Sequence, residues 1–170
     1  MTTRKITVSA ILTSLVVAAK YALGFIVGVE VVTFLCILYS VFLPFRLSQT
    51  IIFAFVMITG IIYGFGTWWL VYFFIFPLEG LFSFAFKRLL NKNQLFFALW
   101  CGFWGFSIMF WYYPYDLLLF GPSFAVARFA TAVIPNLLGA ISNFIAATIL
   151  FETSKFLFEN VFRVDSNDFW

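Results

Sequence analysis

The sequence predicts an all-α membrane protein, a bundle of six transmembrane helices with both termini on the cytoplasmic side. Of its 170 residues, 64% are hydrophobic and 10% are charged, whereas a soluble domain carries about 25% charged residues. Apolar segments recur along the chain, and their lengths are close to the roughly 20 residues that a helix needs to cross a bilayer. This composition excludes a soluble globule, a disordered tail, a coiled coil and a nucleic-acid-binding module. Residues 1–170 are therefore expected to form a single integral membrane domain.

The first three predicted helices differ in how well they fit a bilayer. The first contains one charge, Lys20, and lacks a convincing cleavage site, so a removable signal peptide is not expected. The second is preceded by Glu30 and is short for a span, which requires either local thinning of the membrane or burial among neighbouring helices. The third ends at the turn signal Gly64–Gly66. The predicted ranges are residues 7–28, 31–45 and 47–63.

Each of the last three predicted helices contains or borders a proline. The fourth contains Pro77, a predicted kink, and Glu79, an intramembrane carboxylate for which a structural role or a partner contact is favoured over ligand binding. The fifth is predicted to end before Pro114. The sixth contains Arg128 and Pro135. Their predicted ranges are residues 67–86, 94–113 and 123–158.

The distribution of cations predicts the orientation in the membrane. Eight lysines and arginines fall on the side of the termini and two fall on the opposite side, the asymmetry expected when the termini are cytoplasmic. The cytoplasmic set is Arg4, Lys5, Arg46, Lys87, Arg88, Lys92, Lys155 and Arg163, and the outer pair is Lys20 and Arg128.

The outer helix ends are rich in aromatic and hydrogen-bonding side chains, whereas the inner ends carry phenylalanine and leucine. One interpretation is the interfacial aromatic belt that membrane proteins share. The one-sided distribution favours a second interpretation, a concave site for a bulky, partly aromatic ligand. The predicted substrate-binding residues are Lys20, Tyr21, Glu30, Trp68, Tyr72, Trp104, Trp111, Tyr112, Tyr115, Asp116, Arg128 and Asn136.

Small residues recur at every fourth position along one face of the first helix, at Ala10, Ser14, Ala18 and Ala22. Small residues allow close helix approach in lipid, where no hydrophobic force drives helices together. This face either packs inside the bundle or docks another membrane subunit. The sequence leaves both interpretations open.

Several kinds of chemistry are missing. Histidine is absent, which removes the commonest metal ligand and the commonest general base. Cys36 and Cys101 lie in apolar runs and are expected to be core residues. The sequence contains no phosphate-binding loop and no hydrolase motif. We therefore expect no catalytic residue, no metal site and no prosthetic group, and a membrane binder that depends on another protein for energy.

Five segments along the chain are each weakly specific alone and gain meaning from their order. They are Val29–Thr33, Tyr63–Trp69, Gly102–Phe106, Gly121–Ala125 and Gly139–Phe144. With these segments in this order, the chain resembles, over nearly its whole length, the substrate-binding S components of energy-coupling factor (ECF) vitamin transporters.

The resemblance implies a multi-pass protein of a prokaryotic cell membrane that captures a vitamin at the extracellular side. Its implied partners are a transmembrane coupling subunit (T component) and two cytoplasmic ATPases, which alone use ATP. The S component is thought to topple in the membrane to release its cargo. The coupling subunit is implied to contact Ala10, Ser14 and Ala18, where Ser14 replaces an alanine of the family pattern.

The resemblance and the outer cluster together point to cobalamin as the transported ligand, because the cluster is rich in aromatic and amide groups and poor in charge. Pantothenate, folate and a queuosine precursor are alternatives. From different classes, a membrane scaffold or a lipid-modifying membrane enzyme, with Glu79 and Asp116 catalytic, also remains open.

Overall fold

The computed structural model describes residues 3–161, with side chains from residue 5 to residue 160, and this part of the chain is helical almost throughout. Arg163 and the side chain of Arg4, both used above to predict orientation, lie outside the described residues. The α-helices are α1 (Thr3–Leu23), α2 (Val32–Phe42), α3 (Phe45–Tyr63), α4 (Thr67–Ala85), α5 (Lys87–Leu90), α6 (Gln94–Phe120) and α7 (Pro122–Phe156), and a π-helical turn (Leu157–Val161) follows.

Five helices within residues 3–161 are long and apolar enough to cross a membrane, namely α1, α3, α4, α6 and α7 with its continuation. The sixth apolar helix, α2, has 11 residues. At about 1.5 Å per residue it is too short to cross the hydrocarbon core of a bilayer on its own. The observed helices agree with the predicted class, an all-α bundle of a multi-pass membrane protein.

The short helix α2 lies in the centre of the bundle. All residues from Val32 to Val41 are buried, and the helix contacts every other α-helix of the described range. The structure thus favours burial among neighbours over membrane thinning. Because no face of α2 meets lipid or water, its sequence is apolar all round, and the hydroxyl of Ser40 is satisfied by the carbonyl oxygen of Cys36 at 2.8 Å.

Several predicted helix boundaries require correction. The fifth predicted helix does not end at Tyr113, because α6 continues through Pro114 to Phe120. One proline removes one backbone hydrogen bond, a loss that a long helix packed along a neighbour tolerates. The helix ends instead at Gly121, whose φ of 84° interrupts the helix, and Pro122 then occupies the first turn of α7, where a missing N–H has no cost.

The other boundaries differ by fewer residues. The first helix stops at Leu23 rather than at residue 28, before the glycines of the following loop. The second stops at Phe42 rather than at residue 45, because Pro44 disfavours helical backbone in the residue before it. Pro44 then caps α3, which begins at Phe45 instead of residue 47. At the C-terminal side, α7 ends at Phe156 and residues up to Val161 form the π-helical turn.

The helices run alternately up and down, and the two ends of the bundle differ in chemistry. At one end, Phe42 packs against Phe151 and Phe158, and the Lys155 ammonium donates a hydrogen bond to the carbonyl oxygen of Asn91. Most of the described cations lie at this end, which we call the basic end. At the other end, α1 and α3 finish while α2 and α4 begin. That second end contains the cavity described next, and we call it the cavity end.

Candidate functional site

A cavity of about 590 Å³ opens at the cavity end of the bundle. Its volume falls within the 300–1,000 Å³ that is typical of small-molecule sites. Five of the predicted substrate-binding residues line it, and they come from the end of α1, the loop before α2, the start of α4 and the first half of α7. These residues are Lys20, Glu30, Trp68, Tyr72 and Asn136.

Three aromatic side chains form one wall of the cavity. The ring of Tyr63 meets that of Trp68 edge to face at a centroid distance of 6.4 Å. Trp68 meets Tyr72 in the same manner at 5.3 Å. From outside the cavity, Tyr21 stacks on Tyr63 at 5.3 Å. Because each ring contacts the next, the wall is held by packing and offers an aromatic surface to a ligand.

One cation lines the cavity next to this wall. The Lys20 ammonium lies 5.0 Å from the centroid of the Tyr72 ring, within the range of a cation–π interaction. Lys20 forms no ion pair with any carboxylate in the part of the chain that the structure describes. Its charge therefore remains available to a ligand.

The carboxylate of Glu30 lines the same cavity and is oriented by two hydrogen-bond donors. The Thr33 hydroxyl donates to its Oε1 at 3.1 Å, and Nδ2 of Asn143 donates to the same oxygen at 2.9 Å. The backbone of residue 30 is also held, because its N–H donates to Oγ of Ser142 at 3.1 Å and the Ser142 hydroxyl lies 2.8 Å from its carbonyl oxygen. Helix α7 thus positions the loop that carries Glu30.

Gly28 allows this loop to approach α7. Its φ of 77° is in the region that favours glycine. A Cβ at this position would lie 2.6 Å from Cβ of Leu138, closer than carbon atoms pack. The glycine therefore serves both the turn and the close contact that forms one side of the cavity.

A second cavity of about 210 Å³ adjoins the first and shares Tyr72, Ile108 and Asn136 with it. Its lining includes an ion pair in which Nη1 of Arg128 lies 2.7 Å from Oδ1 of Asp116. The Arg128 guanidinium also lies 4.3 Å from the centroid of the Tyr112 ring.

The Tyr112 hydroxyl donates a hydrogen bond to the carbonyl oxygen of Trp68 at 3.2 Å. This bond ties α6 to the start of α4 and so joins the walls of the two cavities. The charges of Asp116 and Arg128 offset each other. The structure therefore places these predicted residues beside the main cavity, with their charges already paired.

The structure separates four predicted substrate-binding residues from both cavities. Trp104 is buried and packs against Phe82 and Trp100. Trp111 and Tyr115 line an apolar groove of about 280 Å³ with residues of α4. Tyr21 does not line the cavity, and its ring stacks on Tyr63, a member of the aromatic wall. For Trp111 and Tyr115 the reason is helical phase, because they are four residues apart and share one face of α6, whereas Tyr112 and Asp116 share the adjacent face.

The sequence prediction missed Tyr63, which lines the cavity, and Ser142 and Asn143, which hold Glu30. A signal for the last two was present, because an apolar membrane helix seldom contains adjacent polar residues without hydrogen-bond partners. Tyr63 stands at the last position of α3 before a glycine turn. Its place in the cavity wall becomes visible only in the structure, through the stacking of Tyr21 on Tyr63 and the edge-to-face contact of Tyr63 with Trp68.

The face with small residues is exposed along α1. Ala10, Ser14 and Ala18 are exposed, whereas Leu12 and Val16 on the opposite face are buried. Within the described residues, α1 therefore packs on its neighbours with the face that carries Leu12 and Val16. The interpretation in which these small residues pack inside the bundle does not hold.

Glu79 is buried, with 1% of its surface exposed, and it lines neither cavity. In the observed conformation this carboxylate is therefore not accessible to a partner. Cys36 and Cys101 are also buried, as unpaired core residues.

Comparisons with known protein families, with curated proteins and with solved structures each found no match.

Proposed function

We propose that this protein is the substrate-capture subunit of an ATP-driven vitamin importer of the ECF type. The observation that carries the proposal is the cavity of about 590 Å³ at one end of the bundle, which combines an aromatic wall with an unpaired cation and a carboxylate. In a membrane protein, charged groups that lie near the hydrocarbon core are costly and mark ligand sites or ion pathways. An aromatic belt facing lipid would not enclose such charges.

The proposed topology has six spans and places both termini in the cytoplasm. The short helix α2 counts as one of the spans, and it is enclosed by the other helices instead of facing lipid. The separation of charges supports this orientation, because Arg46, Lys87, Arg88, Lys92 and Lys155 belong to the basic end. Cytoplasmic loops carry the excess of lysine and arginine. The cavity would then open on the extracellular side of a prokaryotic cell membrane, where an importer meets its substrate.

The proposed partners are a T component and two cytoplasmic ATPases, which use the ATP. The exposed small-residue face of α1 supports a docking role, because Ala10, Ser14 and Ala18 leave space for a close helix approach. The exposed Ile11 and Leu15 flank these residues with apolar surface. This face and the cavity are separate, so ligand capture and docking can be tested independently.

The cavity volume supports a vitamin smaller than cobalamin. A corrinoid is much larger than the molecules that cavities of 300–1,000 Å³ enclose, and it would leave most of its surface outside a cavity of about 590 Å³. Pantothenate, a queuosine precursor and the pterin portion of folate are nearer in size. Cobalamin stays within the proposal as a ligand to test.

The experiment is a thermal-stability screen of the detergent-purified protein with cobalamin, pantothenate, folate, queuine, thiamine, biotin and riboflavin. A ligand present at a hundredfold excess over its Kd stabilises the folded state by about 2.7 kcal/mol. We expect one of these molecules to raise the melting temperature, and the same molecule in protein-free micelles to give no signal. No stabilisation by any vitamin, together with turnover of a lipid head group, would instead favour the membrane enzyme.

The geometry gives that enzyme less support. Asp116 is buried and engaged by Arg128, and Glu79 lies outside both cavities. The two carboxylates thus do not share a site in which one could act as acid and the other as base. A scaffold without a ligand is the remaining alternative, and a silent screen with no lipid turnover would favour it.

A further inference from the structure

We propose that the main cavity is built for an amphoteric substrate, a flat molecule with an anionic group next to Lys20 and a cationic or N–H-donating group next to Glu30. The inference rests on the proposed capture function and names the chemical class of its ligand. It differs from the expectation of cobalamin, which rested on an outer cluster rich in aromatic and amide groups and poor in charge. Three features of the cavity support it.

The first feature is that the two opposite charges in the cavity are not paired with each other. The Lys20 ammonium forms no ion pair within the described residues, although Glu30 lines the same cavity. Elsewhere in this molecule, the neighbouring charges of Asp116 and Arg128 meet at 2.7 Å. Leaving a charge partly buried without a counter-charge is unfavourable. The unpaired state of both groups is accounted for if each has its counterpart on the ligand.

The second feature is the orientation of the Glu30 carboxylate. Both donors that bind it, Thr33 and Asn143, donate to Oε1. No other donor in the described part of the chain bonds this carboxylate, so Oε2 keeps its acceptor capacity. Since the protein already holds one oxygen in place, a ligand that donates to the other binds a preorganised group and loses little side-chain entropy.

The third feature is the place of Lys20 beside the aromatic wall. Its ammonium lies over the Tyr72 ring, and a cation–π contact uses one direction of a group that has three N–H donors. The remaining donors can bind a carboxylate or a phosphate. Trp68 stands edge to face against the same Tyr72 ring. An anionic group at Lys20 therefore brings an attached flat ring against the aromatic wall.

The test uses four para-substituted benzenes of nearly equal size: 4-(aminomethyl)benzoate with both charges, 4-methylbenzoate with a negative charge, 4-methylbenzylamine with a positive charge, and neutral 4-methylbenzamide. Affinities are measured by ligand-observed NMR on the detergent-purified protein, with protein-free micelles as the blank. We expect the amphoteric compound to bind at least tenfold more tightly than either singly charged compound, and the neutral compound to bind most weakly.

Two conservative variants assign the charges. Lys20→Met should remove the advantage of the carboxylate and keep that of the amine, whereas Glu30→Gln should do the reverse. Lys92→Met removes an exposed cation from the basic end and should leave all four affinities unchanged. Glutamine retains an oxygen for the bonds from Thr33 and Asn143, so loss of fold is not expected.

Equal binding of all four compounds, absence of binding by any of them, or equal losses for every compound in both variants would overturn the amphoteric substrate. The outcome of the vitamin screen separates this failure from failure of the capture function. A neutral vitamin that stabilises the wild type and both variants equally would end the amphoteric inference and leave capture intact. If no vitamin binds, the capture function itself fails.

Discussion

Asn143 in α7 donates a hydrogen bond to the Glu30 carboxylate at 2.9 Å and so joins two residues that are 113 positions apart in the chain. The same amide accepts a hydrogen bond at Oδ1 from the backbone N–H of Phe34, also at 2.9 Å. One buried side chain therefore satisfies the first turn of α2 and orients a charged group of the cavity. Helix docking and the geometry of the site depend on each other here.

Replacing Asn143 with leucine should destabilise the protein and weaken ligand binding together. Leucine has a similar size but leaves the buried N–H of Phe34 without an acceptor, which costs about 1–3 kcal/mol. Denaturant unfolding in micelles measures the change. The control is Asn160→Leu, which removes an exposed amide bonded only to the preceding turn, at the Phe156 carbonyl oxygen, and should change stability little. Equal effects of the two substitutions would contradict the role assigned to Asn143.

Gly28→Ala should destabilise the protein more than Gly64→Ala. Both glycines have positive φ, 77° and 85°, and an alanine in such a conformation costs about 1–3 kcal/mol. At Gly64 no atom lies within 4 Å of the added Cβ, whereas at Gly28 the Cβ would meet Leu138 at 2.6 Å. The difference between the two melting temperatures isolates the clash. Equal melting temperatures would show that the loop and α7 separate without cost.

Removing Arg128 alone should cost more stability than removing both members of its ion pair. Asp116 has 2% of its side chain exposed, so Arg128→Met leaves a buried, uncompensated carboxylate. Loss of one partner of a buried pair costs about 3–5 kcal/mol, and we expect the low end because the Arg128 side chain is 34% exposed. The double variant Asp116→Asn, Arg128→Met should recover most of this loss in a double-mutant cycle. Strictly additive effects would show that the two charges do not interact.

Ala18→Leu should prevent assembly with a coupling subunit while vitamin binding by the isolated protein persists. The leucine side chain would keep a partner helix from approaching the exposed face of α1. Ala130→Leu is the matched control, since it enlarges an exposed alanine on α7 instead. Co-purification with co-expressed T component and ATPases reads out assembly. If both variants assemble as the wild type does, the small-residue face is not the docking surface.

Hydropathy was sufficient to predict the class of the fold, because the long helices must each present apolar surface to lipid. It could not show that α2 is enclosed, since an apolar run of this length fits either a buried helix or a short span. The end of α6 was also beyond sequence reasoning. Pro114 is a strong local signal, yet continuous packing against α7 outweighs it.

The sequence predicted at which helix ends the candidate site lies, but it did not predict which faces of those helices line the site. Lys20, Trp68 and Tyr72 follow from their positions near helix ends, where side chains from several helices meet. Trp111 and Tyr112 were predicted together, but adjacent residues on a helix point about 100° apart, and of these two only Tyr112 lines a cavity, the second one. The adjacent polar residues Ser142 and Asn143 in an apolar helix signalled buried hydrogen bonds, but the sequence does not show that their partner is Glu30, because the Asn143–Glu30 contact spans 113 positions.

The most direct test of ligand capture at this cavity is mass spectrometry of the small molecules that co-purify with three forms of the protein: wild type, Trp68→Ala and Trp111→Ala. Trp68 lines the main cavity and Trp111 lines the separate groove. We predict one molecule, bound in a constant ratio to the wild type and to Trp111→Ala and strongly depleted from Trp68→Ala. A molecule that is lost from Trp111→Ala and retained by Trp68→Ala, or none in any form even after incubation with the vitamins, would contradict capture at the cavity.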